Sequence, residues 1–217
     1  MMSAQATSHS EHPLVVVTDD ELPMREALRD LLESVGLHVE LFGSGAEMLG
    51  ASLLKSANCL VLDIRLPGMS GLELQQRLAD VDVHVPVIFM TGHGDIPMTV
   101  NAMKAGAVDF LTKPFRDQDM IDAVMAAVAR DRDRRRGAER TAELQSRFAT
   151  LTPRESEVMR LVTQGLMNKQ VAGRLSRSEI TVKVHRQRMM RKMGVRTLAD
   201  LVRAATELGL HSQGSWS

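Results

Sequence analysis

The run Leu60-Val61-Leu62-Asp63-Ile64-Arg65-Leu66-Pro67-Gly68 is the clearest structural signal in this chain. It is an apolar run that ends at one Asp and then reaches Pro and Gly, which is typical of a buried strand that leads into a loop. Strands that are apolar on both faces occur in parallel sheets covered by helices, and such sheets bind ligands beyond the carboxyl ends of their strands. Asp63 therefore lies where such folds keep their chemistry, although an Asp that merely caps a turn gives the same local pattern.

Four further apolar runs alternate with segments of helical periodicity, so the first part of the chain repeats a strand and then a helix. Ser44-Gly45-Ala46-Glu47 and Ser70-Gly71-Leu72-Glu73 are capping boxes, which predict that helices begin there. This order favours a five-stranded parallel sheet with helices on both faces. The predicted strands are residues 14–18, 38–42, 59–63, 85–90 and 107–111, and the later predicted helices are residues 97–104 and 117–129.

The net charge of zero hides two halves of opposite sign. Residues 1–129 contain 8 Lys and Arg against 18 Asp and Glu, whereas residues 130–217 contain 19 against 9. Such asymmetry predicts an acidic domain joined to a basic one. A basic terminal domain favours a polyanionic partner, most often nucleic acid.

The composition gives no sign of secretion or of a membrane span. Residues 1–13 lack the basic start and the apolar core of a signal peptide, and no apolar run approaches the length of a transmembrane helix. Cys59 is the single cysteine, and its place in an apolar strand predicts a small core residue that forms no internal disulfide. We expect a cytoplasmic protein without a membrane partner.

Acidic side chains follow two of the predicted strands. Asp19 and Asp20 come after the first strand and Asp63 ends the third, so the three carboxylates converge if these strands are neighbours. Carboxylates in one cleft repel one another and need a counter-charge, and an oxygen-rich site of this kind suits Mg²⁺. Asp63 can then serve as a nucleophile toward a phosphoryl group.

Residues after the last two predicted strands would complete a phosphoryl site. Lys113 follows the fifth strand, where its ammonium group would neutralise phosphoryl oxygens together with the cation. Thr91 follows the fourth strand and offers a hydroxyl group, and Gly92 leaves room for the phosphoryl group. The sequence therefore predicts phosphoryl-transfer chemistry at this edge of the sheet.

This set of residues resembles the receiver domain of a two-component response regulator, over about residues 13–130. Each motif is weak alone, and the set in this order and spacing is specific. The residues that carry the resemblance are Asp19-Asp20, Asp63, Thr91 and Lys113-Pro114.

The resemblance implies a phosphoacceptor and a metal site. Asp63 would be phosphorylated by a cognate sensor histidine kinase. Asp20, Asp63 and the backbone carbonyl of Arg65 would bind Mg²⁺ directly, and Asp19 would act through water.

The resemblance also implies roles for residues around the phosphoryl group. Thr91 and Phe110 match the pair that switches conformation on phosphorylation, although Phe110 could equally be a plain core residue. Arg65 and His93 lie where side chains overhang the phosphoryl group and would set its lifetime. The Lys113-Pro114 peptide bond is expected to be cis.

Helix signals dominate the end of the chain. Thr152-Pro153-Arg154-Glu155 is a strong helix start, with a Thr cap, Pro at the first position and a Glu that reaches back. Further helices are expected from Asn168 to about Leu175, from Ser178 to Met193 and from Thr197. A short helix, a tight polar turn and a long helix have the outline of a helix-turn-helix.

This segment resembles a LuxR-type DNA-binding domain over about residues 148–210. Together the two resemblances identify a response regulator of the FixJ type, also called the NarL type. The implied fold class is α/β plus all-α, with a flavodoxin-like (βα)5 receiver and then a four-helix LuxR-type helix-turn-helix domain. The stretches that carry the second resemblance are Leu151 to Glu155, Asn168 to Ala172 and Thr181 to Arg186.

Matching the LuxR-type motif residue by residue assigns the DNA contacts. The amino end of the long helix offers N–H groups and a positive dipole, which suits the major groove and its phosphates. The turn departs from the family, which usually has a Gly and then an apolar residue where this chain has Ser176 and Arg177. The expected base contacts are Lys183, Val184 and Gln187, and the expected phosphate contacts are Asn168, Lys169, Thr181, Arg188, Arg191 and Lys192.

The predicted organisation has two domains and a connector. Residues 13–130 form the receiver, residues 131–147 form a charged helical linker, and residues 148–211 form the DNA-binding domain. Residues 1–12 are expected to be disordered and residues 212–217 flexible.

The implied function is phosphorylation-dependent control of transcription, with activation as the expected effect. The phosphorylated chain would form a homodimer, bind promoter DNA and act with RNA polymerase, without being a turnover enzyme. The alternative is an enzyme, a phosphatase that resembles the haloacid dehalogenases. Such enzymes require an Asp two residues after the nucleophile, where this chain has Arg65. A phosphate sink that binds only proteins is a third reading, and the basic helix-turn-helix argues against it.

Overall fold

A computed structural model describes residues 12–92, 100, 102–104 and 106–210, and the chain divides into two compact units between Arg134 and Arg135. Residues 1–11 and 211–217 and the start of the helix predicted at 97–104 lie outside the described residues. Within the described part of the chain, no helix combines the length and the apolar character that a membrane span requires.

The first unit contains a five-stranded parallel sheet with the strand order β2-β1-β3-β4-β5, which confirms the flavodoxin-like prediction. The strands are β1 (Leu14–Thr18), β2 (His38–Phe42), β3 (Cys59–Asp63), β4 (Val87–Thr91) and β5 (Asp109–Thr112). The helices with described bounds are α1 (Leu22–Ser34), α2 (Gly45–Leu49), a short 3-10 helix (Ser52–Lys55), α3 (Gly71–Asp80) and α4 (Asp117–Ala149).

The sheet is buried on both faces because its strand residues alternate between two apolar clusters. Leu62 of β3 lies in the cluster that also contains Leu74 of α3, whereas Val61 lies in the cluster that contains Leu32 of α1. Cys59 is fully buried in the second cluster, as predicted, and burial raises the pKa of its thiol. The apolar runs in the sequence are therefore strands covered on both sides.

Two strands begin later than the sequence predicted. β4 begins at Val87 instead of residue 85, because Pro86 has no N–H to donate and joins the sheet only through its carbonyl, which accepts from Leu60 N at 2.9 Å. β5 begins at Asp109 instead of residue 107, because Gly106 (φ +94°) still belongs to the turn before it.

One of the two predicted capping boxes is incomplete. Ser70 and Glu73 exchange both bonds at the start of α3, as expected. At α2 the Ser44 hydroxyl accepts from Glu47 N, but the Glu47 carboxylate accepts from Gly43 N at 3.0 Å instead of Ser44 N. The Glu47 carboxylate therefore binds the backbone just after β2 and does not complete the capping box.

α4 is one continuous helix of 33 residues that runs through the stretch predicted as a charged linker. The linker interpretation is incomplete, because both ends of this stretch are packed. Asp131 is fully buried in the first unit, where its Oδ2 accepts from Asn58 Nδ2 at 2.9 Å, and Asn58 Oδ1 accepts from Leu14 N at 2.9 Å. At the other end, Leu144 lies in the core of the second unit.

The second unit contains the four helices that the sequence predicted after the connector. Its core includes the buried Met189 and Met193 and the half-buried Met190. The turn that differs from the family pattern contains Ser176 and Arg177. Ser176 adopts a left-handed conformation (φ 51°), and Arg177 is exposed, so the arginine side chain stays out of the core. The helices are α5 (Pro153–Thr163), α6 (Asn168–Leu175), α7 (Glu179–Met193) and α8 (Leu198–Glu207).

Removal of the buried Asp131 carboxylate should destabilise the first unit. Asp131→Ala leaves the Asn58 amide without its acceptor, and we expect the free energy of unfolding to fall by about 2–3 kcal/mol. The measurement is hydrogen exchange at the β1 and β3 amides of the full-length protein. Asp133→Ala is the matched control on the same helix, since Asp133 is exposed. Equal exchange rates in the two variants would contradict the assignment.

Candidate functional site

The first candidate site lies at the carboxyl edge of the sheet, where the sequence predicted it. Asp19 follows β1 and Asp63 ends β3, and β1 and β3 are hydrogen-bonded neighbours. Thr91 ends β4, and Lys113 follows β5 with its N–H donating to Thr91 O at 2.7 Å. The parallel register therefore brings the four predicted side chains to one edge.

The Lys113 ammonium group lies between the two buried carboxylates. Its Nζ is 2.6 Å from Asp19 Oδ2 and 2.6 Å from Asp63 Oδ2. Asp19 is fully buried and Asp63 is 7% exposed. Partial burial alone would lower the pKa of Lys113, but the bonds to the two carboxylates outweigh it and raise that pKa above its ordinary value. The lysine therefore stays charged and neutralises part of the acidic cluster.

Backbone N–H groups fix the second oxygen of each buried carboxylate. Asp19 Oδ1 accepts from Glu21 N at 2.9 Å, and Asp63 Oδ1 accepts from Arg65 N at 2.8 Å. Arg25 Nη1 donates to the carbonyl of Asp19 at 2.5 Å. Both carboxylates are thereby aimed at the same space above the sheet edge.

The acidic cluster fits a divalent cation. Asp19, Asp20 and Asp63 each offer a carboxylate oxygen, and these atoms lie within 4.8 Å of one another. Three carboxylates face one ammonium group, so the cluster keeps an excess of negative charge. Hard oxygen donors of this kind are typical of Mg²⁺ binding.

Four of the other residues predicted for this site, Arg65, Thr91, Gly92 and Phe110, are described by the structure. Thr91 is fully buried, and among the described residues no atom lies within 4 Å of a Cβ added at Gly92. Phe110 is half-buried and packs against the apolar cluster of α3. The Arg65 side chain is exposed, His93 lies outside the described residues, and the Lys113-Pro114 peptide bond is cis.

Gly71 is a position next to this site whose close backbone contact the sequence did not predict. A Cβ at this position would lie 2.6 Å from the carbonyl oxygen of Asp63 and 3.1 Å from Phe89 Cε1. Gly71 N also donates to Ile64 O at 3.0 Å, so the start of α3 presses against the end of β3. No local pattern marks this contact, because a glycine at the second position of a capping box looks like an ordinary helix start in the sequence.

The second candidate site is the outer face of α7. Lys183, Val184 and Gln187 are exposed there, and so are Arg188 and Arg191. Lys169 is exposed on α6, the preceding helix. The structure thus brings most of the predicted DNA contacts to the surface of the basic unit.

Two of the predicted phosphate contacts, Asn168 and Thr181, already have partners within the unit. Asn168 Oδ1 accepts from Arg186 Nη1 at 2.9 Å, and Thr181 Oγ1 lies 2.8 Å from the Ser178 hydroxyl. Asn168 and Thr181 can therefore contact a DNA phosphate only through polar groups other than these oxygens.

Lys192 is placed differently from its prediction as a phosphate contact. Its Nζ donates to Glu155 Oε2 at 2.6 Å and to the carbonyl of Thr150 at 2.9 Å, and its side chain is 32% exposed. The ammonium group is therefore directed into the unit, where it neutralises a buried carboxylate. The sequence could not show this, because the helix position of Lys192 is next to that of the exposed Arg191.

Comparisons with known proteins agree with this geometry. The family model of the response regulator receiver domain matches residues 15–125, and the model of the bacterial regulatory proteins of the luxR family matches residues 149–205.

Two relatives and one solved structure match this chain along most of their length. Nodulation protein W of Bradyrhizobium diazoefficiens is 55% identical over 204 residues, which are 94% of this chain and 90% of that protein. The transcriptional regulatory protein FixJ of Azorhizobium caulinodans is 44% identical over 196 residues, covering 90% of this chain and 93% of that protein. The structure of the response regulator StyR covers 90% of this chain and 99% of its own, with a TM-score of 0.80 and 47% identity.

Gly71→Ala should disturb the carboxyl edge of the sheet, where α3 begins beside the end of β3. The added methyl group overlaps the Asp63 carbonyl, so we expect the first unit to lose about 1–3 kcal/mol of stability. Calorimetric unfolding of the full-length protein measures the change. Gly137→Ala in α4 is the control, because a Cβ there meets no atom within 4 Å and should stabilise the helix by about 0.5–1 kcal/mol. Similar shifts in both variants would argue against the close contact at Gly71.

The Glu155–Lys192 pair should make the second unit sensitive to acid. Burial alone would raise the pKa of Glu155, but the bonds from Lys192 and Thr152 outweigh it and lower that pKa. Because the folded value is depressed, the pair stabilises the unit fully above pH about 4.5 and loses this contribution as pH falls through the folded pKa.

Glu155→Gln tests this sign. We expect a loss of about 1–3 kcal/mol at pH 7 and a smaller further change than wild type between pH 5 and pH 3, because the titrating group is gone. Glu157→Gln is the control, since Glu157 pairs with Arg154 on the exposed surface. A wild-type-like acid response in Glu155→Gln would refute the assignment. The thermal midpoint of the second unit as a function of pH is the measurement.

Proposed function

Because the chain belongs to the two-component response regulators of the FixJ type, which join a receiver domain to a LuxR-type DNA-binding domain, we propose that phosphorylation of Asp63 controls how it binds DNA. The single observation that supports Asp63 as the acceptor is its position. It is a carboxylate at the end of the central strand β3, 2.6 Å from the Lys113 ammonium group and within the acidic cluster.

The proposed reaction is a transfer of the phosphoryl group from a phosphohistidine of a sensor kinase. An Asp63 carboxylate oxygen attacks phosphorus while the P–N bond breaks, and the electron pair of that bond returns to the imidazole nitrogen. Lys113 then exchanges its bond to Asp63 for a bond to a phosphoryl oxygen. Later hydrolysis of the acyl phosphate releases phosphate and restores the carboxylate, so the protein acts only on its own Asp63.

Mg²⁺ is the proposed cofactor of this transfer. Asp20, Asp63 and the backbone carbonyl of Arg65 would hold it directly, and Asp19 would hold it through water. When bound, it neutralises negative charge on the phosphoryl oxygens. Arg65 N already orients Asp63 Oδ1, which leaves the other oxygen of Asp63, near Lys113, for attack.

A change at Thr91 and Phe110 is the proposed link to the surface. The Thr91 hydroxyl would donate to a phosphoryl oxygen, and Phe110 would turn inward from its half-buried position. The face formed by the helix before β5, by β5 and by the first turns of α4 would then favour a homodimer. Arg65 and His93 would set the lifetime of the phosphorylated state.

The proposed output is control of transcription in the cytoplasm. The dimer would bind promoter DNA with α7 in the major groove and would act with RNA polymerase, with activation as the proposed effect. Lys183, Val184 and Gln187 would face bases. Lys169, Arg188 and Arg191, with Asn168 and Thr181, would contact phosphates.

Asp63 should be the sole phosphoacceptor. After incubation of the full-length protein with acetyl phosphate and Mg²⁺, we expect intact mass spectrometry to show one phosphate adduct in wild type and none in Asp63→Asn. Asp30→Asn, which changes an exposed carboxylate on α1, is the matched control and should keep the adduct. An adduct that survives Asp63→Asn would refute the assignment.

Base contacts and phosphate contacts should separate in a salt titration. Arg191→Ala should weaken binding to specific and scrambled duplexes alike and reduce the salt dependence by about one unit of slope. Lys183→Ala should cost about 1–3 kcal/mol on the specific duplex selected from a random pool and much less on the scrambled one. Equal losses on both duplexes would instead make Lys183 a phosphate contact.

A further inference from the structure

The first turn of α7 carries an apolar side chain that none of the assignments above uses. Ile180 is 77% exposed, which is the highest value among the large hydrophobic residues that the structure describes. The turn itself is held in place, because Ser178 caps the helix by accepting from Thr181 N at 3.1 Å. The exposure of Ile180 therefore belongs to an ordered helix start.

Ile180 lies on the same face of α7 as the proposed base contacts. Lys183, Val184 and Gln187 follow it by three, four and seven residues, which is the spacing of one helical face. Val184 is also exposed (41%), whereas Val182 and Met189 on the other side of the helix are buried in the core. Ile180 and Val184 thus form a short apolar stripe that points away from the unit.

The apolar side chains of this stripe limit which groups of DNA it can contact. An Ile side chain makes no bond to a phosphate, and a β-branched residue at an exposed helix position is a poorer helix former than Ala or Lys. On the edges of the bases in the major groove, the apolar group is the C5-methyl group of thymine. Residues at the amino end of a recognition helix are the ones that reach these edges.

We propose that Ile180 is a fourth base-reading residue and that its methyl groups contact the C5-methyl group of a thymine. The proposal rests on the proposed DNA-binding role of α7 and adds one position to the sequence that it reads. Four residues of α-helix rise by about 6 Å, and bases of one strand follow at about 3.4 Å, so this thymine lies about two base steps from the base at Val184.

Replacement of thymine by deoxyuridine tests the contact, because the two bases differ in the C5-methyl group. A specific duplex is first selected from a random pool with the full-length protein in acetyl phosphate and Mg²⁺. Each thymine of that duplex is then replaced singly by deoxyuridine, and the dissociation constant is measured. Loss of one buried methyl contact should weaken wild-type binding about fourfold.

We expect the preference for thymine over deoxyuridine at one position of the duplex to depend on the Ile180 side chain. At one thymine, Ile180→Ala should bind the thymine and deoxyuridine duplexes equally, whereas Ile180→Val should keep a preference for thymine. Val184→Ala should lose its preference at a different position. Met167→Ala is the matched control, since Met167 is 68% exposed but lies just before α6, and it should keep the full wild-type profile.

Three results would overturn the proposal, and they are distinguishable. A wild-type deoxyuridine profile in Ile180→Ala means that Ile180 reads no methyl group. An equal loss on every duplex means that Ile180 contributes to affinity without reading a base. A random pool that enriches no sequence contradicts the DNA-binding function itself. Circular dichroism of Ile180→Ala verifies that α7 is intact, which Ala favours as a strong helix former.

Discussion

A single ammonium group between two buried carboxylates is the interaction on which the first unit depends. Lys113 Nζ is 2.6 Å from both Asp19 and Asp63, which belong to the ends of neighbouring strands. Buried carboxylates repel one another and are costly without a counter-charge. Because Lys113 follows β5, it reaches these carboxylates across the edge of β4, and the same bond that neutralises them joins the strand ends of the sheet.

This arrangement explains why chemistry at Asp63 can reach the surface of the unit. In the proposed mechanism, phosphorylation replaces one partner of Lys113 and adds charge where Thr91 is fully buried. Gly71 holds α3 against the carbonyl of Asp63, so the backbone beneath the phosphoryl group has little freedom to absorb the change. The response is therefore expected at β4 and β5, where Phe110 is only half-buried.

Local patterns in the sequence were sufficient for most of the fold and for the residues at the strand ends. Apolar runs ending in Asp placed the acidic cluster, and capping boxes at Ser70 and Thr152 placed two helix starts. Local patterns could not predict contacts between residues that are far apart in the chain. The charge run from Asp131 was predicted to be a linker, although that carboxylate is buried against Asn58. Lys192 was predicted to contact a phosphate, although its ammonium group bonds to Glu155. In each case the partner lies far away in the chain, so spacing carries no sign of it.

If the state of Asp63 sets the affinity for DNA, phosphorylation must change the dissociation constant of the DNA complex. The dissociation constant of the full-length protein for its selected duplex is measured with and without acetyl phosphate, in wild type and in Asp63→Asn. Coupling between two sites of a protein is typically worth about 5–150-fold in affinity. We expect a gain in this range for wild type and none for Asp63→Asn. Equal affinities in both states of the wild type, or an equal gain in Asp63→Asn, would contradict it.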